Sequence, residues 1–229
     1  MNYLHEFYIN YHTNLTFSYL CPQMRQTAKV DELKRHLRQG VVYRRSELAK
    51  WSSSVDRHLS ELTKTGVLKK VSAGLYHVPK STVFGSAPAS EMDLVRGFLK
   101  DDRFLILSPN AYNGLGLGTT QLHNKRVVYN HKRHGDFTLG GRQFTFQVKP
   151  HFPKKLSPEF LLVDMIGNLN QLVDDQPDML ARITAKVAKM DQRKLSLALS
   201  KYGNTRAKRI LTPLLQKANV TDGGQTVAA

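Results

Sequence analysis

Cysteine is almost absent: Cys21 is the only one in 229 residues. No disulfide can close within the chain, and no cysteine-based zinc site can be assembled from it. A reducing, cytoplasmic setting is the expectation. Long apolar runs are missing as well. No stretch approaches the roughly 18 consecutive apolar residues that a membrane-crossing helix needs, so no membrane partner is expected. The N-terminus has neither a basic leader nor an uninterrupted apolar core, which argues against a secretory signal. Acid is scarce: 18 Asp and Glu face 34 Lys and Arg, a formal charge of +16 with a pI near 10.0. Such a field favours polyanions, nucleic acid first among them. Charge kept for solubility alone is the plainer alternative.

Catalytic and metal patterns are also lacking. Gly114, Gly116 and Gly118 match neither phosphate-loop spacing and read as a tight helix end and turn. His123, His131, His134 and His151 fit no zinc spacing, and no second cysteine assists. The adjacent acids Asp101–Asp102 and Asp174–Asp175 come without a base or nucleophile beside them. The expectation is a protein that is not an enzyme, with no catalytic residue, no metal and no cofactor.

What is present has an order. Residues 1–23 hold six aromatics (Tyr3, Phe7, Tyr8, Tyr11, Phe17, Tyr19) and no Lys or Arg, and Met24 opens a run that resembles a natural start. Two readings stand: an extension from an upstream start codon, or an arm that packs on the domain or on a dimer partner. Val30, Leu33 and Leu37 at helical spacing predict a helix over 27–38, ended by Gly40. A short helix follows over 46–50. Residues 81–88, STVFGSAP, have the composition of a linker. Beyond it, 91–99 reads as helix and 104–107 as a buried strand. Strands are expected over 126–129 and 143–148, with Gly140-Gly141 as a turn. Helices are expected over 157–173, 177–190, 192–202 and 205–217, the first capped by Ser157 with Pro158 behind it. Residues 218–229 read as a flexible tail. The domains are therefore 24–80, the linker 81–88, and a second domain over 89–217.

The stretch WSSSVDRHLSELTKTGVLKKVSAGLYHVP, residues 51–79, carries the most information. Ser53 and Asp56 have capping-box spacing, and Gly66 stands where a helix-ending glycine belongs. Val55, Leu59 and Leu62 fall on one arc of the intervening helix. Arg57, Ser60 and Lys64 fall on the other side, and His58 lies near the edge of the apolar arc, a packing position. VLKKV and LYHV around Ser72-Ala73-Gly74 predict a hairpin. Helix, short helix, turn, helix and hairpin make a winged helix-turn-helix, whose third helix is shaped for a major groove. Residues 24–80 hold 13 Lys or Arg against five acids.

Each exposed residue then has an expected role on duplex DNA. Arg57 can donate a bidentate pair to a guanine edge. Ser60 and Lys64 can reach a base or a phosphate. Ser53 and Ser54 sit at the helix start, and Ser72 at the wing turn. Arg44 and Arg45 are placed to clamp the backbone, as are Lys69 and Lys70 on the wing. About six phosphate contacts predict a log–log salt slope near −5. A winged helix that serves only as a protein interface, with a solvated basic face, is the competing reading. The second domain is also uneven: residues 125–155 hold eight Lys or Arg and one acid, and 182–217 hold ten and one. Such faces suit a longer DNA footprint, RNA or an acidic partner, and plain solvated helix faces explain them equally well.

The run GVVYRRSELAKWSSSVDRHLSELTKTGVLKKVSAGLYHVPKSTVFGSAP resembles the N-terminal region of AbiEi-type antitoxins, the antitoxin half of bacterial abortive-infection (type IV) toxin–antitoxin systems. LSPNAYNGLGLGTTQL resembles the stretch that follows the linker in that family. Gly118 stands where Thr is usual, and Tyr112-Asn113-Gly114 departs further from the pattern. PKKLSPEFLLVDMI and LALSKYGNTRAKRIL fit too, so the resemblance covers about residues 27–212. It implies two jobs in phage defence: repression of the chain's own promoter at inverted repeats, and counteraction of a cognate nucleotidyltransferase-like toxin, with or without stable contact. The expected fold class is α+β: an N-terminal winged helix-turn-helix, a mixed α/β segment and a C-terminal helical region. Two other readings remain. One is a winged-helix transcriptional regulator whose second domain binds a ligand or dimerises. The other is an RNA-binding protein that masks a toxin's substrate.

Overall fold

A computed structural model describes residues 29–117, 126–169 and 179–222, the side chains of Pro109 and 218–222 excepted. The N-terminal extension expected over 1–23 lies outside the described residues. The chain is α+β and divides into two units, Met1–Lys100 and Asp101–Ala229.

In the first unit residues 29–36 are helical (α1). Then come β1 (Val42–Arg44), α2 (Arg45–Leu48), α3 (Val55–Lys64), β2 (Lys69–Ser72) and β3 (Leu75–His77). The three strands form one antiparallel sheet in the order β1-β3-β2. A compact core joins them: Val30 and Leu33 from α1, Tyr43, Leu48, then Val55, Leu59 and Leu62 from α3, with Leu68 and Val78. Burying an apolar side chain of this size contributes about 1.5–3 kcal/mol. That is why the apolar arc of α3 fixes which way its other face points. The helix ends where Gly66 takes a φ of +75°, a left-handed conformation that glycine adopts without strain.

The strand β1 is not legible as an expected element, and the short helix starts one residue earlier than expected. The expected linker 81–88 is largely a β-hairpin instead, β4 (Lys80–Thr82) against β5 (Gly85–Ala87). The Thr82 hydroxyl closes it by donating to the Gly85 carbonyl at 2.7 Å. The helix α4 (Glu91–Leu99) belongs to the first unit, not to the second domain. It lies so close to the sheet that a Cβ on Gly97 would come within 2.9 Å of Leu75 and 3.3 Å of Val42.

In the second unit a four-stranded sheet has the order β6-β7-β9-β8. Its strands are β6 (Phe104–Leu107), β7 (Arg126–Asn130), β8 (Gly135–Leu139) and β9 (Arg142–Val148). β6 is antiparallel to β7 and β8 to β9, whereas β7 and β9 run parallel. The side chain of Asn130, 1% exposed, serves the chain where it leaves β7. Its carbonyl accepts from the N–H groups of Lys132 and Arg133, and its amide donates to the carbonyls of Arg133 and Gln147. A 3₁₀ helix over Pro109–Leu115 ends at Gly116 with φ +69°, the tight helix end expected there.

Among the described residues the second unit also holds four helices: α5 (Pro158–Gly167), α6 (Met179–Ala188), α7 (Gln192–Tyr202) and α8 (Thr205–Asp222). Ser157 caps α5 as expected, accepting from the Phe160 N–H at 3.2 Å. α8 continues past the expected tail boundary: residues 218–222 are helical, and 223–229 lie outside the described residues. Among the described residues no helix is long and apolar enough to cross a membrane.

Candidate nucleic-acid interface

The helix α3 has two faces. Val55, His58, Leu59 and Leu62 are buried; Asp56, Arg57, Ser60, Glu61 and Lys64 are exposed. Arg57, Ser60 and Lys64 stand at i, i+3 and i+7, a stripe about 10 Å long on the solvent side. Neither cation of the stripe has an ion-pair or hydrogen-bond partner among the described residues. Among the described residues, no bond has to break before the stripe meets a polyanion.

The start of α3 is built differently from the capping box expected at Ser53 and Asp56. Ser54, half-buried, is the capping residue, and its side chain accepts no hydrogen bond from the helix. Ser53 is exposed. Asp56 turns away to Arg45, which grips it as a fork: Nε donates to Oδ1 at 2.7 Å and Nη2 to Oδ2. The mutual hydrogen bonds raise the Arg45 pKa and hold the Asp56 carboxyl below its ordinary value. The backbone N–H of Arg45 donates to the Gly74 carbonyl at 2.9 Å. One residue therefore ties the hairpin turn, α2 and the first turn of α3 together. No sequence periodicity marks that role, because Arg45 and Asp56 lie on different helices.

The other expected clamp, Arg44, does not present a free guanidinium. Its backbone N–H donates to Glu47 at 2.9 Å, its Nη2 lies 3.5 Å from the same carboxylate, and its Nε is buried without a hydrogen-bond partner. It lines a recess with Val42, Glu47, Asp93, Arg96 and Gly97 instead of the exposed face of α3. Lys69 and Lys70 are both exposed on the edge strand β2, paired with His77 and Tyr76. Consecutive strand residues point to opposite sides, so the two ammonium groups do not form one clamp. Ser72 is half-buried beside the Ala73-Gly74 turn. Of the expected contacts, the structure thus gathers Arg57, Ser60 and Lys64, adds Arg45 through Asp56, and separates Arg44.

His58 packs as expected, 1% exposed, with Nδ1 2.7 Å from the Ser52 hydroxyl. Burial lowers its pKa first, helped by the charge of Arg57. Its Nε2 is buried without a partner.

The second unit holds a polar cluster that no local sequence pattern marks. Asp164, on α5, is 7% exposed. It accepts from the hydroxyls of Tyr112 at 2.6 Å and Tyr129 at 2.7 Å, and from Lys149 Nζ at 2.7 Å. The ammonium also lies 3.7 Å from the centre of the Tyr129 ring. Burial, followed by the Asp164 charge, pushes both phenols far above their usual range. Every polar atom of the carboxylate has a donor, so the cluster locks the 3₁₀ helix, β7, the end of β9 and α5 to one another. Its only sequence signal is a carboxylate inside the apolar run PEFLLVDMIG.

No protein-family profile and no curated protein matches the chain. A crystal structure is similar, that of the Rv2827c protein from Mycobacterium tuberculosis. The TM-score is 0.50 at 17% identity, over 82% of this chain and 75% of that one. At that identity the likeness carries the fold and nothing about activity.

Proposed function

We propose that the first unit is a winged helix-turn-helix that binds duplex DNA at the chain's own promoter, and that the whole chain acts as an antitoxin and autorepressor. The observation that carries the DNA-binding half is the division of α3: an apolar face anchored in the core, and Arg57, Ser60 and Lys64 exposed on the other side without a partner among the described residues. In this reading α3 lies in the major groove, Arg57 meets a base edge, and Lys64 and the β2 lysines meet phosphates. Arg45 acts through Asp56, holding the first turn of α3 against α2 and the hairpin. The toxin-directed half rests on the resemblance of residues 27–212 to AbiEi-type antitoxins. It assigns counteraction of a nucleotidyltransferase-like toxin to the second unit.

Arg57→Ala tests both halves. Binding to the promoter duplex, measured by fluorescence anisotropy, should weaken by about 1–3 kcal/mol and lose preference at one base pair. Equal loss on a random duplex would remove base reading from the proposal. The same variant, co-expressed with the toxin, should release the promoter yet still restore growth. Loss of growth rescue by a folded Arg57→Ala chain would refute the division of labour.

A further inference from the structure

A recess of about 570 Å³ opens in the second unit between the loop after β7, the segment joining β9 to α5, and the end of α7. We propose that it binds a nucleotide, with the phosphate held by His151 and Lys201 and the base laid against an aromatic ledge. The volume lies inside the range of about 300–1,000 Å³ typical of small-ligand sites. Its walls supply both halves of a nucleotide's chemistry. His151, Ser200 and Lys201 offer an imidazole, a hydroxyl and an ammonium, and no carboxylate lines the recess.

Neither His151 nor Lys201 has a partner among the described residues, and both are exposed. The aromatic half is already ordered: the ring of His131 stacks on Phe152 at 4.7 Å and 26°. Tyr202 is held edge-on against Phe160 at 5.4 Å. A planar base gains from such a surface whatever its identity, since every base has a stacking face. The recess also lies where the two basic segments, 125–155 and 182–217, come together, so the surrounding field attracts phosphate. The site rests on none of the residues assigned to duplex DNA.

The ligand is either a free nucleotide or one unit of a single-stranded nucleic acid. The test uses the full chain and a labelled oligouridylate, read by anisotropy. The double variant His151→Ala, Lys201→Ala should bind it about tenfold more weakly or worse, as loss of two phosphate contacts implies. Its binding to promoter duplex should stay unchanged. Arg57→Ala should show the opposite pattern, which keeps this proposal and the duplex reading separable. An oligonucleotide carrying 4-thiouridine should cross-link to peptides containing Phe152 or Tyr202. Competition by adenosine monophosphate identifies a free nucleotide as the ligand, and resistance to it identifies a single strand. Unchanged oligouridylate affinity in the double variant overturns the proposal. So do cross-links confined to residues 29–100, or preferential binding of polyglutamate over the oligonucleotide.

Discussion

Removing Asp56 should make duplex binding more, not less, salt-sensitive. Six cations were expected to face DNA: Arg44, Arg45, Arg57, Lys64, Lys69 and Lys70. In the structure Arg44 is held by Glu47 and Arg45 by Asp56, which leaves four without an acidic partner among the described residues; with Arg57 on a base edge, three remain for phosphates. With a slope of about −0.9 per phosphate, three contacts give about −2.7, shallower than the −5 that six would give. Between about 50 and 200 mM salt, such a protein loses about 40-fold in affinity. Asp56→Ala frees the Arg45 fork and deletes an acid from the exposed face of α3. A fourth contact steepens the slope to about −3.6, and the loss over the same interval grows to about 150-fold. The main-chain bond from Arg45 to Gly74 survives the substitution and keeps α2 tied to the hairpin turn. Circular dichroism should therefore report a folded variant. Anisotropy titrations of a promoter duplex across salt measure both slopes. Equal slopes for the two proteins would refute the idea that Asp56 holds a cation back from DNA. A flat slope in both would refute the DNA reading itself.

Three further outcomes follow from buried groups. Asp164→Ala leaves the Lys149 ammonium and two phenol hydroxyls without their acceptor, and should cost about 3 kcal/mol in denaturant unfolding; a loss under about 1 kcal/mol would show the cluster to be dispensable. Tyr112 and Tyr129 have folded pKa values raised above the ordinary 10.0. The unfolded chain therefore releases protons above pH 10 that the folded chain keeps, and stability falls as pH rises there. Absorbance near 295 nm should show Tyr112 and Tyr129 ionising only on unfolding; ionisation of these two in the still-folded protein would contradict this. His58 and His77 have folded pKa values lowered by burial. Their contribution is present above the ordinary 6.5 and is lost as pH falls below it, because the unfolded chain takes up protons first. His58→Leu should flatten part of that acid loss in a chemical-denaturation series, and an identical pH profile would assign the loss elsewhere.

The parts legible in the sequence were those set by local periodicity. Val55, Leu59 and Leu62 repeat at helical spacing, so both the existence of α3 and its buried face could be read directly. The hairpin after Gly66 and the capping of α5 by Ser157 followed from turn and cap chemistry. What stayed hidden depends on partners far along the chain or on very short segments. β1 has three residues and exists because β3 pairs with it. STVFGSAP has the composition of a linker, yet it closes as a hairpin through Thr82 and Gly85. Arg45 looked like a free phosphate clamp because nothing in its neighbourhood reveals Asp56. Tyr112 and Asp164 are 52 positions apart, and no pattern joins them. Net charge overstated the available cations for the same reason: Lys132 is spent on Asp101 and Lys149 on Asp164.

The route of the chain through the second sheet dictates an order of assembly. β7 and β8 are consecutive in sequence but not neighbours, and β9 occupies the slot between them. A nascent chain stalled before residue 142 has made β7 and β8 and lacks the strand that joins them. β8 and β9 meet across the short Gly140-Gly141 turn, so they can zip together as a local ribbon and then dock as a pair along the parallel seam with β7. Asn130 holds the crossing open by satisfying the backbone where the chain skips a lane. Loss of that one amide should slow maturation of the whole sheet while leaving each hairpin able to form.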